Sequence, residues 1–236
     1  EDFYQFAFIF GGISHFFANI IYGGEKMICN QTINGYENEF EFVYYYNNKQ
    51  ISELDPVSYE LMQKLYKKIN NDDIINCRLN LNKQKGDIII SINGDRKYIS
   101  IKKGYKNSVH TEHIYSFIKF LRSCNMPEEL ITKLLRFHYA DGTTNGTGKI
   151  RFSSSEYFLN HPNDIKEIND FFNSEDFIRA AVDRLVLCGN NSQRSIDAVI
   201  WGTPNDFLWI TKEEIINICI NHKGIAKNSV AIAGLF

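Results

Sequence analysis

Residues 86–112 read GDIIISINGDRKYISIKKGYKNSVHTE, and this stretch decides the fold. Two isoleucine-rich runs flank Asn93-Gly94-Asp95, in which either Asn93-Gly94 or Gly94-Asp95 suits the positive φ angles of a two-residue type I′ turn. We therefore predict an antiparallel hairpin. With either turn the same five isoleucines lie on one face and form a core surface: Ile88, Ile90, Ile92, Ile99 and Ile101.

The opposite face of the predicted hairpin carries Asp87, Ser100 and Lys102. With Gly94-Asp95 as the loop, Asp87 lies opposite Lys102; with Asn93-Gly94 it lies opposite Ser100 and diagonal to Lys102. A three-residue loop would instead bury Lys102 among the isoleucines without a partner. A carboxylate can hold a divalent cation, and an ammonium beside it can orient water and stabilise charge on phosphate.

These residues resemble the PD-(D/E)XK nuclease superfamily, whose core is a hairpin bearing Asp and then acid-x-Lys, packed by helices. Gly86-Asp87 stands where Pro-Asp is usual, and Ser100-Ile101-Lys102 stands where Glu-x-Lys is usual. One group of restriction endonucleases in this superfamily has Ser-x-Lys and takes its second acid from the following helix. The resemblance covers about residues 55–122.

The resemblance implies that Asp87 and Glu112 hold Mg²⁺, for which Mn²⁺ is a substitute, and that Lys102 is the catalytic amine. Ser100 joins this catalytic set at the position of the usual acid. Glu112 also has a structural interpretation, as a first-turn carboxylate stabilised by the helix dipole.

A Glu from the helix before the hairpin often adds to the metal site of this superfamily, and Glu60 is the nearest equivalent. The alternative is that Glu60 is a solvated partner of Lys64, four residues later on the same helix.

Other segments have local signals of their own. Glu39–Tyr46 alternates like a strand. Asp55-Pro56 begins a helix, with Asp as the N-cap. A helix is predicted for about Val109–Arg122, capped by Ser108 and including Glu112. Another is predicted from Pro127 to His138.

The second half of the chain contains a polar loop, Asp141–Gly148, which is the best internal boundary. Beyond it, Ser174 caps a helix that Gly189 ends. A second hairpin is predicted around Thr203–Asp206, and Thr211 with Glu214 forms a capping box for the last helix.

The expected fold class is α/β, or α+β. Residues 36–140 would form a restriction-endonuclease-like core, a mixed central sheet flanked by helices. Residues 1–35 are an aromatic segment of uncertain role. Residues 141–236 would form a C-terminal α/β extension that serves target recognition or dimerisation.

The net charge of −2 gives no global positive field, so any contact with nucleic acid must be local. A basic cluster near the hairpin could supply such contacts, although charge runs of this kind usually form a solvated face. The predicted nucleic-acid-binding residues are Lys103, Lys106, Asn107, His110 and Arg151.

The 5 cysteines form no C-x-x-C pair, and their odd number argues against a disulfide framework or a zinc ribbon. A reducing cytoplasm is the simplest location. The aromatic N-terminal stretch is interrupted by polar residues and has an acidic start, so neither a membrane span nor a secretion signal is expected.

The function that these patterns favour is that of a Mg²⁺-dependent endonuclease that hydrolyses phosphodiester bonds of DNA, of the type II restriction class. A homodimer is the economical arrangement if both strands of a duplex are cut. One alternative is a ribonuclease, acting as a toxin or defence effector through the same site. The other is a module without catalysis, in which the hairpin docks a partner.

Overall fold

The structure, a computed structural model, describes residues 5–8, 35–82, 85–103, 110–189, 194–221 and 230–231. For residues 5–8, 35 and 110–112 it describes the backbone alone. In chain order the elements are β1 (Gln5–Phe8), α1 (Gly35–Tyr46), a 3-10 turn (Ile51–Glu53), α2 (Pro56–Leu65), β2 (Asn76–Leu79), β3 (Ile88–Ile92), β4 (Asp95–Lys102), β5 (His110–His113), α3 (Ile114–Ser123), α4 (Glu128–Tyr139), α5 (Ser154–Asn160), α6 (Pro162–Phe172), α7 (Glu175–Ala181), a π-helix (Val182–Cys188), β6 (Ala198–Thr203), β7 (Asp206–Thr211) and α8 (Lys212–Asn221).

The chain divides into two compact units that are interleaved in sequence. The helical unit comprises residues 1–13, 108–182 and 216–236, and the sheet unit comprises residues 14–107 and 183–215. The division expected after residue 140 falls inside the helical unit, because residues 108–182 form one continuous part of it. Consecutive segments 36–140 and 141–236 therefore do not describe the units.

The sheet unit contains a mixed five-stranded sheet in the order β2-β3-β4-β6-β7. β4 and β6 are parallel, and every other neighbouring pair is antiparallel. A parallel pair needs a long crossover connection, and here that connection runs through residues 103–197. The expected α/β class, a mixed sheet with helices packed against it, is confirmed.

The hairpin adopts the predicted two-residue loop, with Asn93-Gly94 as the turn. Asn93 and Gly94 have φ angles of 51° and 83°, as a type I′ turn requires. Ile88 pairs with Ile99 and Ile92 pairs with Asp95, so the same register carried on places Asp87 opposite Ser100. All five isoleucines of the predicted core face are buried and join one hydrophobic cluster.

α1 corrects the strand predicted for Glu39–Tyr46. Its fully buried residues are Asn38, Phe42 and Tyr46, which recur every four residues, whereas Tyr44 is 90% exposed. An alternating strand would bury Phe40, Phe42, Tyr44 and Tyr46 on one face. The aromatic residues are dense enough to mimic alternation, but the core accepts them with helical spacing.

Several predicted helix boundaries are confirmed. Asp55 caps α2 and accepts hydrogen bonds from the backbone N–H groups of Val57 and Ser58, at 2.9 and 3.1 Å. Thr211 and Glu214 form the reciprocal capping box of α8. The second hairpin pairs Thr203 with Asp206, as the turn signal there predicts.

The helix expected from Val109 was predicted too long at its N-terminal end. His110–His113 is strand β5, which pairs antiparallel with β1, and α3 begins only at Ile114 with His113 as its N-cap. Glu112 therefore lies in a strand opposite Phe6 rather than in a first helical turn. β-sheet pairing with a distant segment overrides the local helical pattern there. Ser108 lies outside the described residues.

The helical unit has an aromatic core of its own. Phe172 stacks on Phe177 with ring centroids 4.7 Å apart and meets Phe117 edge to face at 6.4 Å.

The loop at residues 141–148 folds around the Asp141 carboxylate, which accepts hydrogen bonds from the backbone N–H groups of Thr143 and Gly148, both at 2.8 Å. The backbone N–H groups of Thr143 and of residues 145–148 all donate to side chains within this loop.

Within the described ranges, no helix has the length and apolar character needed to cross a membrane. The four cysteines described, Cys77, Cys124, Cys188 and Cys219, are free thiols. Cys29 lies outside the described residues.

Candidate active site

The backbone of Asp87 is fixed on both sides at the start of β3. Its N–H donates to the carbonyl of Ile99 at 2.8 Å, and its carbonyl accepts from the N–H of Asn80 at 2.9 Å. Gly86, immediately before it, has a φ of +105°, a conformation closed to proline. A proline at this position could not adopt the observed backbone conformation.

The Asp87 carboxylate is held by three groups that converge on one oxygen. Oδ2 accepts hydrogen bonds from the Ser100 hydroxyl at 3.1 Å and from the Ile101 backbone N–H at 2.5 Å. Lys102 Nζ lies 3.8 Å from the same oxygen. Within the described residues these contacts do not involve Oδ1. The carboxylate is therefore fixed in orientation while one oxygen remains available to a ligand.

Asp87 and Lys102 remain accessible from solvent. Their side chains are 26% and 35% exposed, respectively. Lys102 is the last residue of β4, where β4 runs parallel to β6 with Lys102 beside Trp201. The pair thus lies at a strand end that is open to solvent, whereas the isoleucines on the opposite face of the hairpin are buried in the core.

Glu39, on α1, is the acid that the sequence did not reveal. It is half-buried, and its pKa is raised, chiefly by burial and then by repulsion from the Asp87 carboxylate, while the Lys102 ammonium opposes the rise. Two carboxylates and one ammonium therefore act on one another at this place. The signal that could have found Glu39 is the four-residue spacing of Asn38, Phe42 and Tyr46, which assigns the segment to a helix.

Asn38 connects α1 to the sheet beside this site. Its side-chain amide is fully buried and donates to the carbonyl of Gly202 at 2.9 Å. Gly202 follows Trp201, the parallel neighbour of Lys102. The hydrogen bond fixes the turn of α1 that carries Glu39 relative to the strand that flanks Lys102.

Lys85 is a second amine close to the site that sequence reasoning missed. Its Nζ donates to the carbonyl of Leu185 in the π-helix, at 3.1 Å. Burial and the neighbouring Lys102 ammonium lower the pKa of Lys85 to about 8, against the opposing effects of Cys188 and Asp87. Lys85 therefore secures the segment that leads into Asp87.

Ser100 lies within the site but not as a surface group. It is 2% exposed, and its hydroxyl donates to Asp87. Ser100 was predicted to be a catalytic residue. Its burial and its hydrogen bond indicate instead that it positions the Asp87 carboxylate and does not contact a substrate directly.

Neither Glu60 nor Glu112, the two other acids predicted to hold the metal, is shown beside Asp87 by the described residues. Glu60 is exposed on α2, and Lys64 forms its ion pair with Glu214, at 3.9 Å, rather than with Glu60. The acid whose pKa responds to Asp87 is Glu39. Glu112 belongs to the helical unit, and its side chain lies outside the described residues, so its metal ligation stays a prediction.

The residues predicted to bind nucleic acid are described unequally. Lys103 directly follows β4 and is half-buried. Arg151, in the helical unit, is exposed and donates to the carbonyl of His138 at 3.1 Å. Lys106, Asn107 and the side chain of His110 lie outside the described residues.

The suitability of the site for a metal rests on its donors. The described residues contain no group of three His, Cys, Asp or Glu side chains that could hold a metal ion. Mg²⁺ does not require one, because it commonly keeps several waters and binds through one or two carboxylates. Burial and the Asp87 carboxylate raise the pKa of Glu39, and a divalent cation beside the two acids would offset the repulsion between them. The pair therefore suits Mg²⁺ or Mn²⁺.

Comparisons with protein-family models, with curated proteins and with solved structures each gave no match. The chemistry of Glu39, Asp87 and Lys102 is therefore the basis on which a function can be proposed.

Proposed function

We propose that this protein is a divalent-metal-dependent endonuclease that hydrolyses phosphodiester bonds of DNA, in the manner of a type II restriction enzyme. The observation that carries the proposal is the approach of Lys102 Nζ to Asp87 Oδ2, at 3.8 Å, beside a Glu39 whose pKa is raised in part by Asp87. A strand end that combines two acids and an amine is suited to phosphoryl chemistry.

Asp87 and Glu39 would hold the cation, which when bound polarises the scissile phosphate and lowers the pKa of a coordinated water. Lys102 would place its ammonium against the phosphate oxygens as negative charge develops on them. Ser100 and the Ile101 N–H hold Oδ2 of Asp87, so that the carboxylate does not have to reorient. Lys103, which directly follows β4, would contact a neighbouring phosphate.

The ribonuclease alternative uses the same three side chains, and it differs from the DNA proposal in which nucleic acid is cleaved. A module without catalysis would cleave neither, and Lys102→Ala would then have no effect on product yield. A homodimer that cuts both strands remains part of the proposal.

The test is cleavage of supercoiled plasmid, single-stranded DNA and RNA with Mg²⁺, Mn²⁺ or EDTA. Wild type should cut DNA with either metal and not in EDTA. Lys102→Ala and Asp87→Asn should each lower the rate by at least about a hundredfold, the scale of losing one group that stabilises transition-state charge.

Lys68→Ala and Glu213→Gln are matched controls, because both residues are exposed in the same unit and away from the described contacts of Asp87. If wild type and Lys102→Ala give the same product yield on all three substrates, the catalytic proposal is wrong. Cleavage of RNA alone would replace the DNA proposal with the ribonuclease.

A further inference from the structure

A groove of about 620 Å³ lies in the sheet unit between α1 and the turn that joins β6 to β7. It is lined by planar apolar groups, by hydrogen-bonding side chains and by a single amine. The residues are Phe40, Tyr44, Tyr45, Pro204, Glu41, Thr203, Asn205 and Lys49. None of them belongs to the candidate active site.

The groove presents aromatic surface to solvent. Tyr44 is 90% exposed and Phe40 is 48% exposed, one helical turn apart on α1. Exposed aromatic side chains leave apolar surface in contact with water, which is unfavourable in proportion to its area. A planar ligand that stacks on these rings removes that surface from water and so gains binding free energy. Every nucleobase has a face that can stack in this way.

The amine of the groove is held at a defined place. Lys49 Nζ lies 3.7 Å from the centroid of the Tyr45 ring, whose hydroxyl in turn donates to Asp55. The ammonium is thus fixed beside the aromatic wall by a cation–π contact. A phosphate attached to a stacked base would find its counter-charge there.

Glu41 determines which base the groove suits. A carboxylate has acceptors only, and the Watson–Crick edge of guanine offers it two adjacent donors, N1–H and the N2 amino group. Adenine and cytosine each offer one amino donor beside a lone pair that the carboxylate repels, and thymine offers one N–H between two carbonyls. In a duplex this edge is already paired, so the guanine must be unpaired.

We propose that this groove binds an unpaired guanine base of the nucleic-acid strand, stacked on Tyr44 and hydrogen-bonded to Glu41. The substrate class rests on the proposed function. α1 carries both Glu39 of the candidate active site and Phe40 and Glu41 of the groove. The two places share this helix but lie on different faces of it, because successive helical residues turn by about 100°.

The test measures binding without cleavage. Labelled thymidine hexamers with one central guanine, adenine or cytosine are titrated with the full chain in EDTA, and Kd is read by fluorescence anisotropy. The guanine strand should bind about tenfold more tightly than the other two, and its blunt duplex should lose this preference. Tyr44→Ala should weaken binding about tenfold, and Glu41→Gln should reduce the guanine preference to less than about twofold. Lys49→Ala should weaken all three strands equally.

Tyr44→Phe, which retains the ring, should bind like wild type, and Tyr115→Ala removes another exposed tyrosine, on α3, as a control. Guanine, adenine and cytosine strands that bind within twofold of one another, no measurable binding, or an unaffected Tyr44→Ala variant would each overturn the proposal. The outcomes are independent of catalysis. Cleavage that depends on Lys102, without a guanine preference in binding, would overturn only the guanine-binding proposal. Guanine binding without any cleavage would overturn only the nuclease proposal.

Discussion

Lys102 Nζ lies 3.8 Å from Asp87 Oδ2. Asp87 is separated from the hairpin turn by about 20 Å of extended chain, so the register of the two strands brings the pair together rather than any contact near the turn. The register that pairs Ile88 with Ile99 brings Asp87 opposite Ser100 and leaves Lys102 diagonal to it. The isoleucines on the other face stabilise this register, because a slip of one residue would expose all five.

Glu39→Gln should greatly slow metal-dependent cleavage while leaving the fold intact. The substitution removes a carboxylate whose pKa is raised by burial and by Asp87, so the glutamine variant should be at least as stable as wild type above the pKa of the acid. The rate with Mg²⁺ should fall by about a hundredfold. Plasmid cleavage and thermal melting measure the two effects, with Glu213→Gln as the control. Unchanged cleavage would exclude Glu39 from the site and return the second-acid role to Glu112 or Glu60.

Divalent cations should stabilise wild type through the same two acids. A ligand that binds the folded state raises Tm with its concentration, so Ca²⁺ or Mg²⁺ should raise the Tm of wild type relative to EDTA. Asp87→Asn and Glu39→Gln should each lose most of this shift, whereas Glu213→Gln should keep it. Differential scanning fluorimetry across a cation titration is the measurement. Equal shifts in all four proteins would mean that the cations bind elsewhere.

Ser100→Ala should slow the reaction without affecting substrate binding. The hydroxyl is buried and donates to Asp87 Oδ2, so its loss leaves Ile101 N–H as the remaining hydrogen-bond donor to that oxygen. We expect kcat to fall about tenfold with KM nearly unchanged, and a loss of about 1 kcal/mol in stability. Ser100→Thr, which keeps the hydroxyl, should recover most of kcat. A selective increase in KM would instead mean that Ser100 touches the substrate.

Gly86→Pro should destabilise the protein. The φ of Gly86 is +105°, whereas proline is restricted to about −65°, so the free energy of unfolding should fall by about 3 kcal/mol or more. Gly94→Ala is the control: its φ is +83° and an added Cβ meets nothing within 4 Å, so only about 1–2 kcal/mol should be lost. Urea denaturation gives both values. A Gly86→Pro variant as stable as wild type would contradict the backbone conformation described for this position.

His138 should make the helical unit sensitive to acid. Burial, and then the nearby Arg151 charge, lower the pKa of His138 below its usual 6.5, so the unfolded chain takes up a proton at a higher pH than the folded chain does. Stability present above about pH 6.5 should therefore decline as the pH falls through the lowered pKa. His138→Gln should flatten this decline in Tm measured between pH 7.5 and 5, and Arg151→Gln should reduce it slightly. A decline of the same size in His138→Gln would assign it to other groups.

The hairpin was predictable because its determinants are local. Asn93-Gly94 supplies the turn, and alternate isoleucines supply the buried face, so the loop length and the shared side of Asp87 and Lys102 follow from the sequence. The Asp55 cap, the Thr211 capping box and the second hairpin were predictable for the same reason. Each depends on residues only a few positions apart.

The segment that carries Glu39 was misassigned because its aromatic residues satisfy a strand pattern and a helix pattern alike. Which pattern is realised depends on the sheet surface against which Phe42 and Tyr46 pack. β5 was missed for a related reason: its partner is β1, about a hundred residues earlier in the chain.

By itself, therefore, the sequence determined the hairpin, its two-residue loop and the shared face of an acid and an amine, since turn preference and two-residue alternation are encoded within a few positions. Only the tertiary structure decided that the second acid beside them is Glu39, and that the C-terminal hairpin completes the same sheet. Those arrangements arise from packing between segments far apart in the chain, where burial of the isoleucine face selects the partner and local pattern does not.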